Sequence, residues 1–159
     1  MFGFGKKKYK GEELNGVPHG KGFAKFPNGD VYEGEFKDGK KHGIGSYITY
    51  KWEYRGSFKN DMKDGKGTQT YANGDVYEGE FKEELFSGKG TFVYADGASY
   101  IGEYDNNLFN GYGKMKFPNG NEYTGNWMNG AYHGHGKFIF SNGEIKEGEW
   151  INGKLNDSN

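Results

Sequence analysis

The stretch Tyr123-Thr-Gly-Asn-Trp127-Met-Asn-Gly130-Ala-Tyr-His133-Gly134-His-Gly136-Lys-Phe138-Ile-Phe140-Ser-Asn-Gly143 decides the fold, because its spacing of aromatic and glycine residues recurs along the chain. Steps of 23 lead back from Tyr123 to Tyr100, Tyr77 and Tyr54; a step of 22 reaches Tyr32, and a further 23 reaches Tyr9. A fixed period of this size marks a stacked-repeat architecture, in which each unit buries its apolar face with the help of its neighbours. Six full repeats begin at Tyr9, Tyr32, Tyr54, Tyr77, Tyr100 and Tyr123, and a partial seventh starts at Lys146 and runs through Gly148, Trp150 and Gly153. The expected organisation is an N-terminal flank over 1–8, a repeat domain over 9–153 and a C-terminal tail over 154–159.

Within each unit the first segment alternates aromatic, Gly, aromatic at every second position, as in Tyr32-Gly34-Phe36, Tyr77-Gly79-Phe81 and Tyr123-Gly125-Trp127. The second segment does the same, as in Gly88-Gly90-Phe92-Tyr94 and Gly134-Gly136-Phe138-Phe140. Alternation with period two predicts strands, so each repeat reads as a β-hairpin. Connections such as Pro-Asn-Gly29, Ala-Asp-Gly97 and Pro-Asn-Gly120 supply the positive φ of tight turns. Repeat two lacks this signal, carrying Ile48-Thr-Tyr-Lys-Trp52 instead, and predicts an irregular corner. No apolar 3.6-residue period is long enough for a helix. Aromatic and Gly columns share one face of the predicted sheet. Pairing the leading Tyr with the last aromatic of the hairpin sets Gly125 opposite Phe138 and Trp127 opposite Gly136, with rings lying flat over glycine backbone. The other face carries a Glu column (Glu12, Glu35, Glu80, Glu103, Glu149) near lysines and reads as solvated.

Composition narrows the function classes. Only 33% of the 159 residues are hydrophobic while 30 are Gly, so 13 Tyr, 13 Phe and 3 Trp must supply the burial. The absence of Cys excludes disulfides, thiolate metal sites and cysteine nucleophiles. A net charge of -1 from interspersed acids and bases provides no basic face for nucleic acid. The N-terminal Met1-Phe-Gly-Phe-Gly-Lys6-Lys7-Lys8 lacks the apolar run of a signal peptide, no stretch approaches the roughly 20 apolar residues of a membrane span, and Phe2 stands where N-myristoylation needs Gly. A cytoplasmic, non-secreted protein with at most peripheral membrane contact is expected.

Tyr-x-Gly-x-(Phe/Trp), followed by Gly-x-x-x-Gly-x-Gly and by an aromatic three residues before Gly, strongly resembles the MORN repeat (membrane occupation and recognition nexus) over about 9 to 153. Glu13 for the second aromatic, Asp61, Glu84 and Asn107 for the mid-hairpin Gly, and Lys146 for Tyr depart from the pattern at single turns. The resemblance implies an all-β fold, a single-layer antiparallel β-meander rolled into an elongated, twisted groove. With about 13 strands at 4.8 Å spacing that groove would be on the order of 60 Å long. It also implies scaffold and adaptor roles in cytoskeletal, axonemal or membrane-associated assemblies.

Motifs that imitate chemistry dissolve into the repeat. Gly34-Glu-Phe-Lys-Asp-Gly39-Lys40 mimics a phosphate loop, but Lys41 stands where Ser or Thr would hold magnesium. His19, His42 and His133 share one repeat offset with Asp64, Ser87 and Asn110 and read as a polar turn cap. No catalytic residue, metal or cofactor is expected. Differences between copies are more informative. At the hairpin tips repeats two and three carry Lys40-Lys41 and Met62-Lys63, whereas later repeats carry Leu85-Phe86, Leu108-Phe109 and Ala131-Tyr132. Equal offsets in successive hairpins lie side by side, so Leu85, Phe86, Leu108, Phe109 and Tyr132 form a candidate stripe for a protein partner. Phe36, Tyr47, Phe81, Phe92, Met115, Trp127 and Phe138 are the candidate lining of a groove for an extended or helical segment. Two other readings remain open: anionic phospholipid at Lys6, Lys7, Lys8, Lys40, Lys41 and Lys63, and self-association through the edge strands of an open sheet.

Overall fold

The structure, a computed structural model, describes residues 8–156. Its elements are all strands: β1 (Lys8–Leu14), β2 (Val17–Lys25), β3 (Val31–Lys37), β4 (Lys40–Ile48), β5 (Trp52–Lys59), β6 (Met62–Tyr71), β7 (Val76–Lys82), β8 (Leu85–Val93), β9 (Ser99–Asp105), β10 (Leu108–Lys116), β11 (Glu122–Met128), β12 (Ala131–Ile139), β13 (Ile145–Ile151) and the short β14 (Lys154–Leu155). They follow one another in chain order in one 14-stranded sheet, so the predicted single-layer antiparallel meander is the observed fold. The residues cluster in two compact units, the first reaching Asn73 and including Phe81–Glu84, the second comprising Gly74–Glu80 and the chain from Leu85 on.

In each hairpin the leading tyrosine is the centre of the packing. Tyr32, Tyr54, Tyr77, Tyr100 and Tyr123 are completely buried. Each hydroxyl donates to the main-chain carbonyl three residues on, at 2.8 Å to Glu35, 2.9 Å to Ser57, 2.9 Å to Glu80, 2.9 Å to Glu103 and 3.0 Å to Asn126. To reach it the ring must lie flat across the sheet, and only glycine leaves room beneath. A Cβ on Gly90 would sit 2.5 Å from the Tyr77 hydroxyl and 2.7 Å from its ring. This corrects the expected register. Tyr123 pairs with Phe138, and Gly125 faces Gly136 rather than Phe138. One ring covers two adjacent strands, so both must lack a side chain at the crossing point. Gly therefore pairs with Gly from strand to strand, through Gly22, Gly34, Gly45 and Gly56 in the first unit and Gly102, Gly113, Gly125 and Gly136 in the second.

In the repeats that carry it, the second aromatic wedges edge-on between two tyrosines. In the first unit Phe58 meets Tyr32 at 5.1 Å and Tyr54 at 5.0 Å. In the second, Trp127 meets Tyr100 at 5.4 Å and Tyr123 at 5.1 Å. Edge-to-face pairs at this separation contribute roughly 0.5–1.5 kcal/mol beyond area burial, so each wedge ties one hairpin to the next. Trp127 also does not face Gly136 across its hairpin. A bulge after Gly125 brings Tyr132 opposite it instead.

Bulges recur at this point in the hairpins β1–β2, β3–β4, β5–β6, β9–β10 and β11–β12, and there Gly43, Gly111 and Gly134 adopt positive φ. The Glu column serves them. Glu35 accepts from the Ile44 amide at 3.3 Å and Glu103 from the Tyr112 amide at 3.3 Å, so these carboxylates are backbone partners as well as a solvated face. In the histidine column Asp64 accepts the amide of the tip residue Glu83 at 3.4 Å and His19 lies 3.6 Å from Asp38 of the next tip, as turn caps do, whereas the Nδ1 atoms of His42 and His133 are buried without a partner.

Hairpin tips are two-residue turns with both residues at positive φ, from Asp38-Gly39 to Asn152-Gly153. The copies lacking Gly keep the same turn: Asp61, Glu84 and Asn107 have φ of 73°, 77° and 69°. Their side chains offset the strain. The turn amide donates to a carbonyl of the preceding hairpin in all three, Asp61 to Lys41, Glu84 to Lys63 and Asn107 to Phe86. The same three side chains accept the amide of that residue at 2.8, 2.6 and 2.7 Å. Asn107→Ala is expected to cost about 2 kcal/mol, half from a left-handed alanine and half from the lost bond, whereas Asn107→Gly costs about 1 kcal/mol because glycine keeps the conformation; urea midpoints separate the two. The corner of repeat two closes without glycine, by a Thr49 amide bond to the Trp52 carbonyl at 2.9 Å and the Thr49 hydroxyl accepting from the Trp52 amide at 3.0 Å.

Candidate aromatic binding face

Above the tyrosine layer lies a third ring, and the two units fill it differently. In the second unit Phe86, Phe109 and Tyr132 stack parallel on Tyr77, Tyr100 and Tyr123, each with 3.8 Å between ring centroids. Burial pushes the Tyr132 hydroxyl up to about 12. These side chains fold back over their own hairpins, while the neighbouring tip residues Leu85 and Leu108 point outward, 36% and 46% exposed.

In the first unit lysines take the same place. The Lys41 ammonium lies 4.0 Å from the centre of the Tyr47 ring. Lys63 is buried, with its ammonium 2.8 Å from the Gln69 amide oxygen, 3.3 Å from Glu84, and over the rings of Trp52 and Phe81 at 4.8 and 5.3 Å. Burial lowers its pKa and the Glu84 carboxylate opposes that shift. Of the other grouped lysines, Lys8 and Lys40 are exposed, and Lys6 and Lys7 lie outside the described residues.

The groove candidates divide by depth. Phe36, Phe81, Met115 and Trp127 belong to the buried layer. Tyr47, Phe92 and Phe138 are half-buried and form the accessible part. Each stands in an aromatic pair or cluster: Tyr47 beside Phe26 and Trp52 at 5.8 and 5.5 Å, Phe92 beside Tyr94 at 4.4 Å, and Phe138 beside Phe140 at 4.7 Å. Sequence reasoning missed Tyr94, Tyr104 and Phe140 as part of this face. A signal existed for Tyr104, the tyrosine in a column otherwise filled by Phe36, Phe58, Phe81, Trp127 and Trp150.

In the second unit Phe86, Phe92, Tyr94, Tyr104, Leu108 and Phe109 enclose a cleft of about 250 Å³. A larger trough, about 630 Å³, opens in the first unit where Lys10, Lys21, Glu33 and Glu35 surround Phe23 and Ile44. Its rim of mixed charges keeps it hydrated, so the aromatic cleft is the better docking feature despite its size. Among the described residues no group of three or more His, Cys, Asp or Glu side chains could hold a metal ion, and no helix is long and apolar enough to cross a membrane.

Comparison with known proteins agrees with the repeat reading. The family model for the MORN repeat matches residues 9–31, 32–52, 54–76, 77–99, 100–122, 123–145 and 147–156. Alsin of Rattus norvegicus is 49% identical over 39 residues, which is 24% of this chain and 2% of that protein. Human Alsin is 46% identical over 39 residues, with the same coverage of 24% and 2%. The chain thus spans a very small part of the length of these relatives. Among solved structures, the TCP domain of Drosophila melanogaster SAS-4 superposes with a TM-score of 0.49 at 12% identity, over 80% of this chain and 71% of that one.

Proposed function

Because the chain belongs to the MORN repeat family, a non-enzymatic type of repeat module, we propose that it is a scaffold or adaptor that holds a segment of a protein partner against its aromatic face. The assembly it serves is cytoskeletal, axonemal or membrane-associated, as for other interaction modules of this type. The observation that carries this reading is the partly exposed aromatic row of the second unit, Phe92 and Phe138, flanked by the tip leucines Leu85 and Leu108, which stay 36% and 46% exposed. Both leucines leave a third to a half of their surface open to solvent beside the stacked Phe86 and Phe109. Exposed apolar side chains at the rim of a concave aromatic surface are where a partner gains most from excluding water.

Leu85→Ser with Leu108→Ser is expected to reduce capture of the native partner at least tenfold, with a stability loss of about 2 kcal/mol in urea and the far-UV circular dichroism of the sheet retained. Undiminished capture by the double variant would remove the tips from the proposed site.

A further inference from the structure

Asn-Gly occurs eight times in the chain. At three hairpin tips, Asn15-Gly16, Asn129-Gly130 and Asn152-Gly153, it builds the same turn, with φ of 54° and 77°, 50° and 81°, and 48° and 84°. All of these residues are exposed. One difference separates the three tips. The Gly130 and Gly153 amides donate to carbonyls of the preceding hairpin, those of Phe109 and Tyr132, each at 2.9 Å. The Gly16 amide has no acceptor among the described residues.

That bond matters because the glycine nitrogen of an Asn-Gly pair is a nucleophile toward its own neighbour. Once deprotonated it attacks the asparagine Cγ: the N–Cγ bond forms, the Cγ–Nδ2 bond breaks, and ammonia leaves with the proton. Water then opens the cyclic imide at either carbonyl, giving aspartate or isoaspartate with no change of oxidation state. Glycine favours the attack because no Cβ shields its nitrogen and its backbone turns freely. A glycine N–H that donates to a carbonyl must first surrender that bond, which slows the step about fivefold, the cost of one ordinary hydrogen bond. The asparagine must also leave its left-handed conformation to bring Cγ onto the nitrogen, and a tip tied to the hairpin before it resists that movement.

Turns between repeats are held in the same way. The Gly29, Gly120 and Gly143 amides donate to the carbonyls of Phe26, Phe117 and Phe140 at 3.0, 3.0 and 2.9 Å. Their asparagines are fixed too, since the side-chain oxygens of Asn28, Asn119 and Asn142 accept the amide two residues on at 3.1, 3.1 and 2.9 Å. We propose that Asn15 is a modification site, deamidating ahead of Asn28, Asn119, Asn129, Asn142 and Asn152, whose glycine amides are bonded. Either product places a new negative charge next to Glu12 and Glu13, the acidic end of β1. Isoaspartate also adds a methylene to the main chain inside the turn that sets Leu14 opposite Val17. Its free α-carboxylate is the group that isoaspartyl carboxyl methyltransferases esterify.

The test is to age the full chain in neutral buffer, digest it at intervals and map the peptides by mass spectrometry with electron-transfer fragmentation, which separates isoaspartate from aspartate. Asn15 is expected to convert at least about fivefold faster than Asn129 or Asn152, and to take up methyl label from an isoaspartyl methyltransferase before they do. In urea above the unfolding midpoint no bond between hairpins survives, and the three rates are expected to converge. Conversion of any of the five bonded asparagines as fast as Asn15 in the folded chain overturns the proposal. So does a lead for Asn15 that persists unchanged in urea, because the flanking Leu14 and Val17, rather than the unbonded amide, would then set it.

Discussion

Gly102→Ala is expected to unfold the second unit at a cost of at least about 4 kcal/mol, more than any other single methyl added to this chain outside the glycine ladder. The added Cβ would lie 2.5 Å from the Gly113 Cα, 2.6 Å from the Tyr100 hydroxyl and 2.7 Å from the Tyr112 carbonyl oxygen. Two of those atoms are backbone of the paired strand and cannot retreat without breaking the ladder. The third belongs to a ring with no exposure, held to Glu103 by its own hydrogen bond. Displacing that ring forfeits the bond and opens its contacts to Tyr104, Phe109 and Trp127. Gly16→Asn is the control. Gly16 has φ 77° and open space around it, and Asn107 occupies the equivalent turn position, so the change is expected within about 0.5 kcal/mol of neutral. Far-UV circular dichroism against urea measures both, and a Gly102→Ala protein as stable as the parent would refute the flat-ring account.

Alkaline pH is expected to melt the protein cooperatively just above pH 10. Burial raises the hydroxyls of Tyr32, Tyr54, Tyr77 and Tyr100 far above their ordinary value of 10.0, and that of Tyr123 to about 12. Below pH 10 both folded and unfolded chains keep these protons, and stability is insensitive to pH. Above it the unfolded chain releases them while the folded chain holds them, so stability falls until the folded values are reached. Each fully buried tyrosine then removes roughly 1.4 kcal/mol per pH unit, and the five together on the order of 7 kcal/mol per unit, as much as a typical domain possesses. Lys63, whose pKa is lowered by burial, acts in the opposite direction but is a single group. Tyrosinate absorbance and sheet circular dichroism should therefore change together between about pH 10 and 12. Stepwise tyrosine ionisation with an intact sheet would contradict the packing described.

Much of this architecture was readable from spacing alone. Period-two alternation around Gly34, Gly79 and Gly125 named the strands, and the shared face of Tyr, Gly and Phe followed from it. Register was not readable, because the bulge that lets Trp127 meet Tyr132 inserts residues no pattern marks. Nor was the depth of each aromatic. Phe36 and Phe92 look equivalent in an alternating strand, yet Phe36 wedges between Tyr9 and Tyr32 while Phe92 lies one layer further out. Phe86, Phe109 and Tyr132 looked like outward tips for the same reason; their rings are long enough to reach back across the hairpin to the tyrosine below. Lys63 shows the limit most clearly, since nothing local in Met62-Lys63-Asp64 announces that Trp52, Gln69 and Glu84 will converge on its ammonium.

The turn-to-strand bonds between hairpins have a consequence for how such a gene can change length. Each joins a tip to a residue 20 or 21 positions earlier, as in Asp61 to Lys41 and Asn107 to Phe86. Duplicating or losing one whole unit of 22 or 23 residues returns every donor to an equivalent acceptor. An insertion of a single residue within a strand instead sends the rings beyond it to the opposite face. Length in this protein is therefore quantised: it can grow or shrink by recombination in whole hairpins, and errors of any other size are purged by the same glycines that make the repeat possible.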